Sequence, residues 1–363
     1  MSSRQRVLMS LTHREPDRCA TYTWINRPAL RQLADHLGVE GQAGVEDCLG
    51  IDKWRTIQLP VQRPGTRDER IRQLIPREYT EMEGVSINRY GCVIKNHPDI
   101  SYLAEEDYLY QPLQNASDAS EVDQYPFDAP EIVAVDDKTR DDIRMLKEQD
   151  AVVTGSVQQP FKIACILRGM ENVFCDLLLN EKIIDRIYDH LYAFNTAYCV
   201  ALAEAQVDVV QIFGDIAMQD RLMMSPDLWR RFDIPRLAHL IGEVKRANPE
   251  ALVYMHTDGK LTDIIPDLIE AGLDILNPIQ PECQDPVEVK RKWGHRLVLH
   301  GTVSTQKTIP LGTPQDVKNE VNHLLEHCAA GGGLILGPAN VLIPQFPVEN
   351  VVAMYEAVSE FYS

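Results

Sequence analysis

The strongest constraint on the fold is a regular alternation of short aliphatic runs with longer amphipathic segments. Six runs rich in Val, Ile and Leu are typical of buried strands, at 151–156, 207–213, 251–256, 273–278, 296–301 and 333–338. Amphipathic segments typical of helices lie between them, at 180–205, 225–247, 261–272 and 313–332. Apolar strands joined by helices favour a parallel sheet, because crossover helices cover its faces. The chain is therefore predicted to be an α/β protein, either a doubly wound sheet or a barrel.

Two earlier runs decide between these alternatives. Residues 20–25 and 53–59 also resemble strands, and the helix-like segment between them has Pro28 near its start and Gly38 after its end. Eight strands predict a (β/α)₈ (TIM) barrel, and 363 residues suit one, since such barrels often run past about 250 residues.

Residues 60–149 fit the barrel repeat poorly. The stretch "GVSINRYGCVIKN" predicts a hairpin that turns at Tyr90–Gly91, and residues 99–135 predict loops with one short helix. We expect one barrel domain over 1–363, in which 60–149 form an N-terminal loop and hairpin insertion that shapes the pocket.

Charge and cysteine content exclude several classes of function. The chain has 36 Lys and Arg against 54 Asp and Glu, a net charge of −18, which repels nucleic acid and anionic lipid surfaces. No run approaches the roughly 18 apolar residues of a membrane span. The eight cysteines include no C-x-x-C pair, which favours reduced thiols. These features predict a cytoplasmic protein that binds neither nucleic acid nor membranes.

Polar residues follow the predicted strands, where a parallel barrel places its ligands. They are Ser156, Gln158, Asp215, Gln219, His256, Asp258, Gln280, Glu282, Cys283, His300, Thr302 and Asn340. Buried polar groups cost about 2–7 kcal/mol without a partner, so their concentration predicts a pocket. The ordinary polarity of loops is the alternative explanation.

Two pairs within this set carry recognisable chemistry. His256 and Asp258 lie two residues apart in an extended segment, so both side chains can face one pocket, for metal ligation or acid–base work. Asp258 could instead cap the next helix. Glu282 and Cys283 would complete a zinc site with an open position, whereas their place between two prolines is also typical of a plain turn.

The chain resembles the uroporphyrinogen decarboxylase-like superfamily over residues 150–360. The resemblance rests on five ordered segments: "FKIACILRGMENVFCDLLLN", "FGDIAMQDRLMMSPDLWRRFDIPRL", "VYMHTDGKLTDIIPDLIEAGLDILNPIQPECQDP", "LVLHGTVSTQ" and "GGGLILGPANVLIPQFPVENVVAMYEA". It implies a (β/α)₈ barrel and one of two chemistries. These are metal-free decarboxylation of a tetrapyrrole, or corrinoid-linked methyl transfer at a zinc held by His-x-Cys and a later Cys.

The departures from both patterns favour a branch near the methyltransferases. The first strand region lacks the clustered Arg-Gln-Ala-Gly-Arg pattern of the decarboxylases, His256-Thr257-Asp258 replaces His-x-Cys, and Asn340 stands where the later Cys would fall. The resemblance then implies a methyltransferase that moves a methyl group between a small methylated substrate and a partner corrinoid protein. It also implies a homodimer.

The residue roles that follow from this reading are specific. Zinc on His256, Glu282 and Cys283 would assist the transfer, and Asp215, His256 and Asp258 would be catalytic. Gln158, Gln219, Gln280, His300, Thr302 and Asn340 would bind the substrate. Two alternatives stay open: a metal-independent decarboxylase of a smaller acid, and a non-catalytic accessory protein that binds a ligand or a corrinoid partner, which Asn340 favours.

Overall fold

The computed structural model describes residues 1–96 and 107–363, and its strands confirm the predicted barrel. Numbered along the chain, the strands are β1 (Ala20–Thr21), β2 (Trp54–Ile57), β3 (Val85–Ile87), β4 (Val93–Lys95), β5 (Tyr108–Tyr110), β6 (Val152–Gln158), β7 (Val209–Phe213), β8 (Leu252–His256), β9 (Ile275–Asn277), β10 (Val298–His300) and β11 (Leu334–Leu336). Eight of them form one sheet in the order β1-β11-β10-β9-β8-β7-β6-β2, and every pairing in it is parallel. This order is that of a (β/α)₈ barrel.

The helices lie between the strands and at the two ends of the chain. They are α1 (Ser3–Leu11), α2 (Arg27–Leu37), α3 (Gly41–Leu49), α4 (Gly65–Leu74), α5 (Arg77–Thr80), α6 (Ala119–Val122), α7 (Asp137–Glu148), α8 (Pro160–Arg168), α9 (Met170–Leu179), α10 (Glu181–Glu204), α11 (Pro226–Phe232), α12 (Ile234–Ala247), α13 (Ile265–Glu270), α14 (Pro286–Trp293), α15 (Thr308–Leu311), α16 (Pro314–Cys328) and α17 (Val348–Phe361). No helix in the described ranges is long and apolar enough to cross a bilayer.

Side chains close the barrel where β1 meets β2. Asp52 accepts hydrogen bonds from the Thr21 backbone N–H at 2.9 Å and from Arg6 Nη1 at 2.6 Å, and Trp54 Nε1 donates to the Thr21 carbonyl at 3.1 Å. Among the described residues no backbone ladder joins these two strands. The closing contacts therefore depend on a buried carboxylate, and Arg6 reaches it from α1.

The barrel interior is a separate, compact apolar cluster. Strand residues Val152, Val209 and Ile275 pack there with Val7 and Leu11 of α1, and all five are buried. A second and larger cluster fills the space between the strands and the outer helices. Because α1 occupies the amino-terminal end, the opposite end of the barrel is left for a site.

Helix boundaries near the predicted site differ from the sequence prediction. The segment predicted as one helix over 225–247 is broken into α11 and α12 at Asp233, and Pro235 lies in the first turn of α12. The segment predicted over 261–272 begins only at Ile265, with Pro266 in the first turn of α13. Asp258 is therefore too far from α13 to cap it.

Residues 60–149 carry their own small sheet. β3 and β4 form an antiparallel hairpin, as the sequence predicts around Tyr90–Gly91, and β5 extends it to three strands. The short helix predicted within 99–135 corresponds to α6, although residues 97–106 lie outside the described residues. Helices α4, α5 and α7 were not predicted. The limits of the insertion as a unit stay a prediction.

Candidate active site

Three predicted catalytic side chains meet at the carboxyl ends of β7 and β8. His256 Nε2 lies 3.9 Å from Asp215 Oδ1 and 4.0 Å from Asp258 Oδ1. Among the described residues, Asp215, His256 and Asp258 are the set of three potential metal ligands whose ligand atoms all lie within 4.8 Å of one another. We call this set the carboxylate–imidazole cluster. His256 is buried, whereas the two carboxylates are partly open.

The His256 ring is fixed by a residue that the sequence reasoning missed. Asn277 is the register partner of His256 across β8 and β9, and its Oδ1 accepts from His256 Nδ1 at 2.6 Å. The amide nitrogen of Asn277 lies 2.9 Å from His300 Nδ1. Since Asn277 Oδ1 can only accept, Nδ1 of His256 carries a proton, and Nε2 is the ring nitrogen that faces the carboxylates. The position of Asn277 at a strand end was the available signal.

Burial and charge tune the carboxylate of Asp258. The pKa of Asp258 is raised to about 6, chiefly by burial and also by the nearby Asp215 carboxylate, while His256 and the hydrogen bond from Asn340 oppose the rise. Asn340 Nδ2 donates to Asp258 Oδ2 at 2.6 Å, and the Asp258 backbone N–H donates to Asp215 Oδ1 at 3.0 Å. Within the part of the chain that the structure describes, Asp258 Oδ1 is buried without a hydrogen-bond partner. That oxygen faces His256 Nε2, so the cluster has an unused acceptor directed inward.

His300 supports the cluster rather than entering it. It is buried among Tyr22, Trp54 and Tyr254, and burial lowers its pKa to about 3. A neutral ring can accept from the Asn277 amide through Nδ1. His300 therefore holds Asn277, and Asn277 holds His256.

The structure does not bring the predicted zinc ligands together. Cys283 Sγ donates to Gln219 Oε1 at 3.2 Å, and burial raises the thiol pKa to about 11, with Glu282 and Asp258 adding to the rise. Glu282 accepts a hydrogen bond from Ser304. Within the described residues, neither Glu282 nor Cys283 completes a ligand group with His256.

The remaining predicted binding residues occupy two positions. Gln280 is buried and accepts from the Gly259 backbone N–H at 3.1 Å, which fixes the loop after β8. Thr302 is buried, and its hydroxyl has no hydrogen-bond partner in residues 1–96 and 107–363. Gln158 instead lines a separate cavity at the end of β6.

That cavity has a volume of about 740 Å³, inside the range of about 300–1,000 Å³ typical of ligand pockets. Its walls come from the segment after β2, from β6, β7, α8 and α10, and from the insertion. They include Phe213 but not the carboxylate–imidazole cluster. The Phe213 ring lies 5.1 Å from the His256 ring, centre to centre. Trp24 also contacts His256, at 5.1 Å. Phe213 thus separates the cavity from the cluster and touches both.

Comparison with known proteins agrees with this architecture. Residues 108–361 match the model of the uroporphyrinogen decarboxylase (URO-D) family. The methylcobamide:CoM methyltransferase MtaA of Methanosarcina barkeri is 27% identical over 224 residues, which cover 61% of this chain and 62% of that protein. The uroporphyrinogen decarboxylase of Coxiella burnetii is 22% identical over 262 residues, 70% of this chain and 69% of that protein.

A solved structure shares the fold over the whole chain. It is a methyltransferase from Methanosarcina mazei, 20% identical, with a TM-score of 0.65 and complete coverage of both chains. The match to MtaA, by contrast, spans less than two thirds of that protein. The fold is therefore shared throughout, and the activity has to be argued from the site.

Proposed function

The chain belongs to the uroporphyrinogen decarboxylase (URO-D) family, and from that premise we propose that it transfers a methyl group between a small methylated substrate and a partner corrinoid protein. The observation that carries the proposal is the carboxylate–imidazole cluster at the carboxyl ends of β7 and β8, with His256 Nε2 between two carboxylate oxygens. The sequence similarity to MtaA supports the same class of reaction.

We propose a zinc ion on Asp215, His256 and Asp258 in place of the predicted set with Glu282 and Cys283. An imidazole nitrogen and two carboxylate oxygens are ordinary zinc donors, and three protein ligands leave a fourth position open. The unpartnered Asp258 Oδ1 and the fixed Nδ1–H of His256 both fit such an ion. Bound there, zinc would supply Lewis acidity toward the substrate heteroatom.

The residues of this chain then divide the remaining work. When the methyl group leaves for the corrinoid, the heteroatom keeps the electron pair of the broken bond and needs a proton. Solvent supplies that proton, because residues that hold a zinc ion bind it in their deprotonated forms and Asp258 is one of them here. Asn277 keeps His256 oriented, and Asn340 keeps Asp258 in place. Asn340 is thus proposed as a supporting residue, where the sequence predicts a substrate-binding one.

A decarboxylase is the second candidate, and one observation favours it. Without a metal, the pKa of Asp258 is raised to about 6, so a fraction of this carboxyl keeps its proton near neutral pH and can protonate the carbanion left by loss of carbon dioxide. The two reactions differ in their products. Release of carbon dioxide from a small acid, without methylation of a corrinoid, would support the decarboxylase.

The test is an assay of methyl transfer in which reduced cobalamin is the free acceptor. The enzyme is incubated with a panel of methoxy, methylamine and methylthiol compounds, and methylation of the cobalamin is read from its absorption spectrum. We expect methylation with at least one compound, and a loss of about 10²–10⁴-fold in rate for His256→Ala. Lys292→Ala, on the exposed face of α14, is the control and should keep the wild-type rate. No methylation with any compound, or an unchanged rate for His256→Ala, would contradict the proposal.

A further inference from the structure

Helix α9 is apolar on both of its sides. Its inner side is buried, and the exposed fractions of Val173 and Leu177 there are 0% and 1%. On the outer side the exposed fraction is 49% for Met170, 66% for Leu178 and 78% for Leu179. A helix that is hydrophobic all round is normally buried all round. The composition of α9 is thus that of a helix with a second layer of protein over its outer side.

The exposed half of α9 forms one continuous apolar surface. With about 3.6 residues per turn, five apolar side chains fall on this half. They are Met170, Phe174, Cys175, Leu178 and Leu179, which we call the α9 face. Cys175 is exposed and Phe174 is partly buried. A contiguous exposed patch of this kind is typical of a surface that binds another protein.

Helix α9 is fixed from behind, so its outer side cannot turn into the core. Arg168 of α8 pairs with Asp176 of α9, with Nε 2.8 Å from Oδ2, and both side chains are buried. The Phe174 ring also lies 5.9 Å from the Phe161 ring of α8, centre to centre. Rotation of α9 would separate a buried ion pair, which is strongly unfavourable. Cover for the α9 face therefore has to come from another molecule.

Charges at the two ends of α9 favour a second copy of this chain as that molecule. Glu171 lies in the first turn of α9 and Lys182 follows shortly after its end. Within the described ranges neither residue has an ion-pair partner. In a two-fold pair of antiparallel helices, the first turn of one helix lies beside the end of the other. Glu171 of each copy would then meet the partner's Lys182, which offsets part of the repulsion between two chains of net charge −18.

We propose that the α9 face is the surface through which two copies of this chain pair, with their α9 helices antiparallel. The helix is about 15 Å long, so it supplies the apolar centre of the interface and polar residues around it form the rim. Cys175 lies at the middle of Met170–Leu179, so the two Cys175 thiols would lie near the two-fold axis. Packed helices have axes about 8–10 Å apart, which a short bifunctional thiol reagent can span.

Sedimentation of the full-length protein at several concentrations tests the pairing. We expect a dimer, and we expect Leu178→Asp to raise its dissociation constant at least about tenfold, because a carboxylate replaces an apolar side chain near the centre of the interface. Leu311→Asp is the matched control. Leu311 is a leucine of α15 that is 80% exposed and lies outside the α9 face, so this variant should keep the wild-type dissociation constant. Circular dichroism checks that both variants are folded.

Cross-linking and charge exchange test the antiparallel arrangement. A short bismaleimide should link two chains in the wild type and should fail to do so in Cys175→Ser. Cys48→Ser, which removes an exposed cysteine of α3, should leave the cross-link in place. Glu171→Lys should weaken the dimer, because it places two like charges together, and adding Lys182→Glu should restore it.

Three results would overturn the proposal: a monomer at every concentration, a dimer whose dissociation constant is unchanged in Leu178→Asp, or a cross-link that persists in Cys175→Ser. The pairing does not depend on the proposed function. A dimer without methyl transfer would leave this proposal standing and reject the proposed function, whereas methyl transfer by a monomer would do the reverse.

Discussion

At the scale of single residues, the geometry of the site depends on which atoms of His256 and Asp258 form hydrogen bonds with Asn277 and Asn340. Asn277 turns Nε2 of His256 toward the carboxylates, and Asn340 holds one oxygen of Asp258 while the other has no hydrogen-bond partner among the described residues. His256 and Asp258 could be predicted from their place after a strand. The support from Asn277 could not, because it depends on the register between β8 and β9, which a single sequence does not specify.

Replacing Asn277 with alanine should weaken both stability and metal binding. The change leaves the Nδ1 atoms of His256 and His300 buried without this partner, and each unsatisfied group costs about 1–3 kcal/mol. Loss of an orienting partner also typically costs about 10–100-fold in metal affinity. Urea unfolding and zinc titration measure the two effects. Asn319→Ala, at an exposed amide on α16, should change stability by less than about 0.5 kcal/mol.

At the scale of elements, the loop after β8 requires a glycine. Gly259 has φ of 96°, and a Cβ there would lie 2.5 Å from the Met218 carbonyl oxygen and 2.9 Å from the Ala217 carbonyl carbon. The glycine lets this loop approach the loop after β7, which carries Asp215. The sequence predicted a helix directly after this position, and Pro266 instead delays α13 to Ile265. The longer loop is what directs Asp258 into the site.

Gly259→Ala should therefore disturb the cluster as well as the fold. We expect a loss of about 1–3 kcal/mol in the free energy of unfolding, from strain at positive φ together with the clash. Gly242→Ala is the matched control, because Gly242 lies inside α12 with nothing within 4 Å of its added Cβ. The free energy of unfolding of that variant should rise by about 0.5–1 kcal/mol, because alanine is favoured over glycine inside a helix. Equal changes in the free energy of unfolding for Gly259→Ala and Gly242→Ala would argue against the close approach of the loops after β7 and β8.

The junction between α11 and α12 predicts a pH dependence. Asp233 is buried and accepts from Gln159 Nε2 at 3.1 Å and from the Tyr192 hydroxyl at 3.2 Å, and burial raises its pKa to about 7. In the unfolded chain the carboxyl of Asp233 has an ordinary pKa of about 3.9. Between about pH 4 and 7 the native state therefore binds one more proton than the unfolded state. The contribution of Asp233 to stability should then fall as pH rises through this window.

Urea unfolding at several pH values measures that slope. Asp233→Asn should flatten it, because the amide does not titrate. Asp316→Asn is the control, since a hydrogen bond from Thr313 lowers the pKa of Asp316 and both states are ionised across the window. A slope that is unchanged in Asp233→Asn would assign the pH dependence to other groups.

At the scale of the whole molecule, the barrel was predictable and the insertion mostly was not. The six aliphatic runs and the two earlier strand-like segments correspond to the eight barrel strands, and in the six runs burial on both faces leaves a continuous apolar signal. The strands are short, however, and β1 contains only two residues, since Asp52 and Arg6 close the barrel by side-chain contacts. In the insertion, only the β3–β4 hairpin had a clear turn signal. The cavity combines insertion and barrel residues, so its walls could not be assembled from sequence alone.

The central claim is that Asp215, His256 and Asp258 form one metal-dependent site for methyl transfer. Calorimetric titration of the chelator-treated protein with zinc at neutral pH tests it most directly. We predict one zinc per chain, with affinity reduced at least about 10²-fold in His256→Ala and unchanged in Cys283→Ser, because Cys283 lies outside the cluster. Absence of zinc binding, or loss of binding in Cys283→Ser with His256→Ala unaffected, would contradict the account.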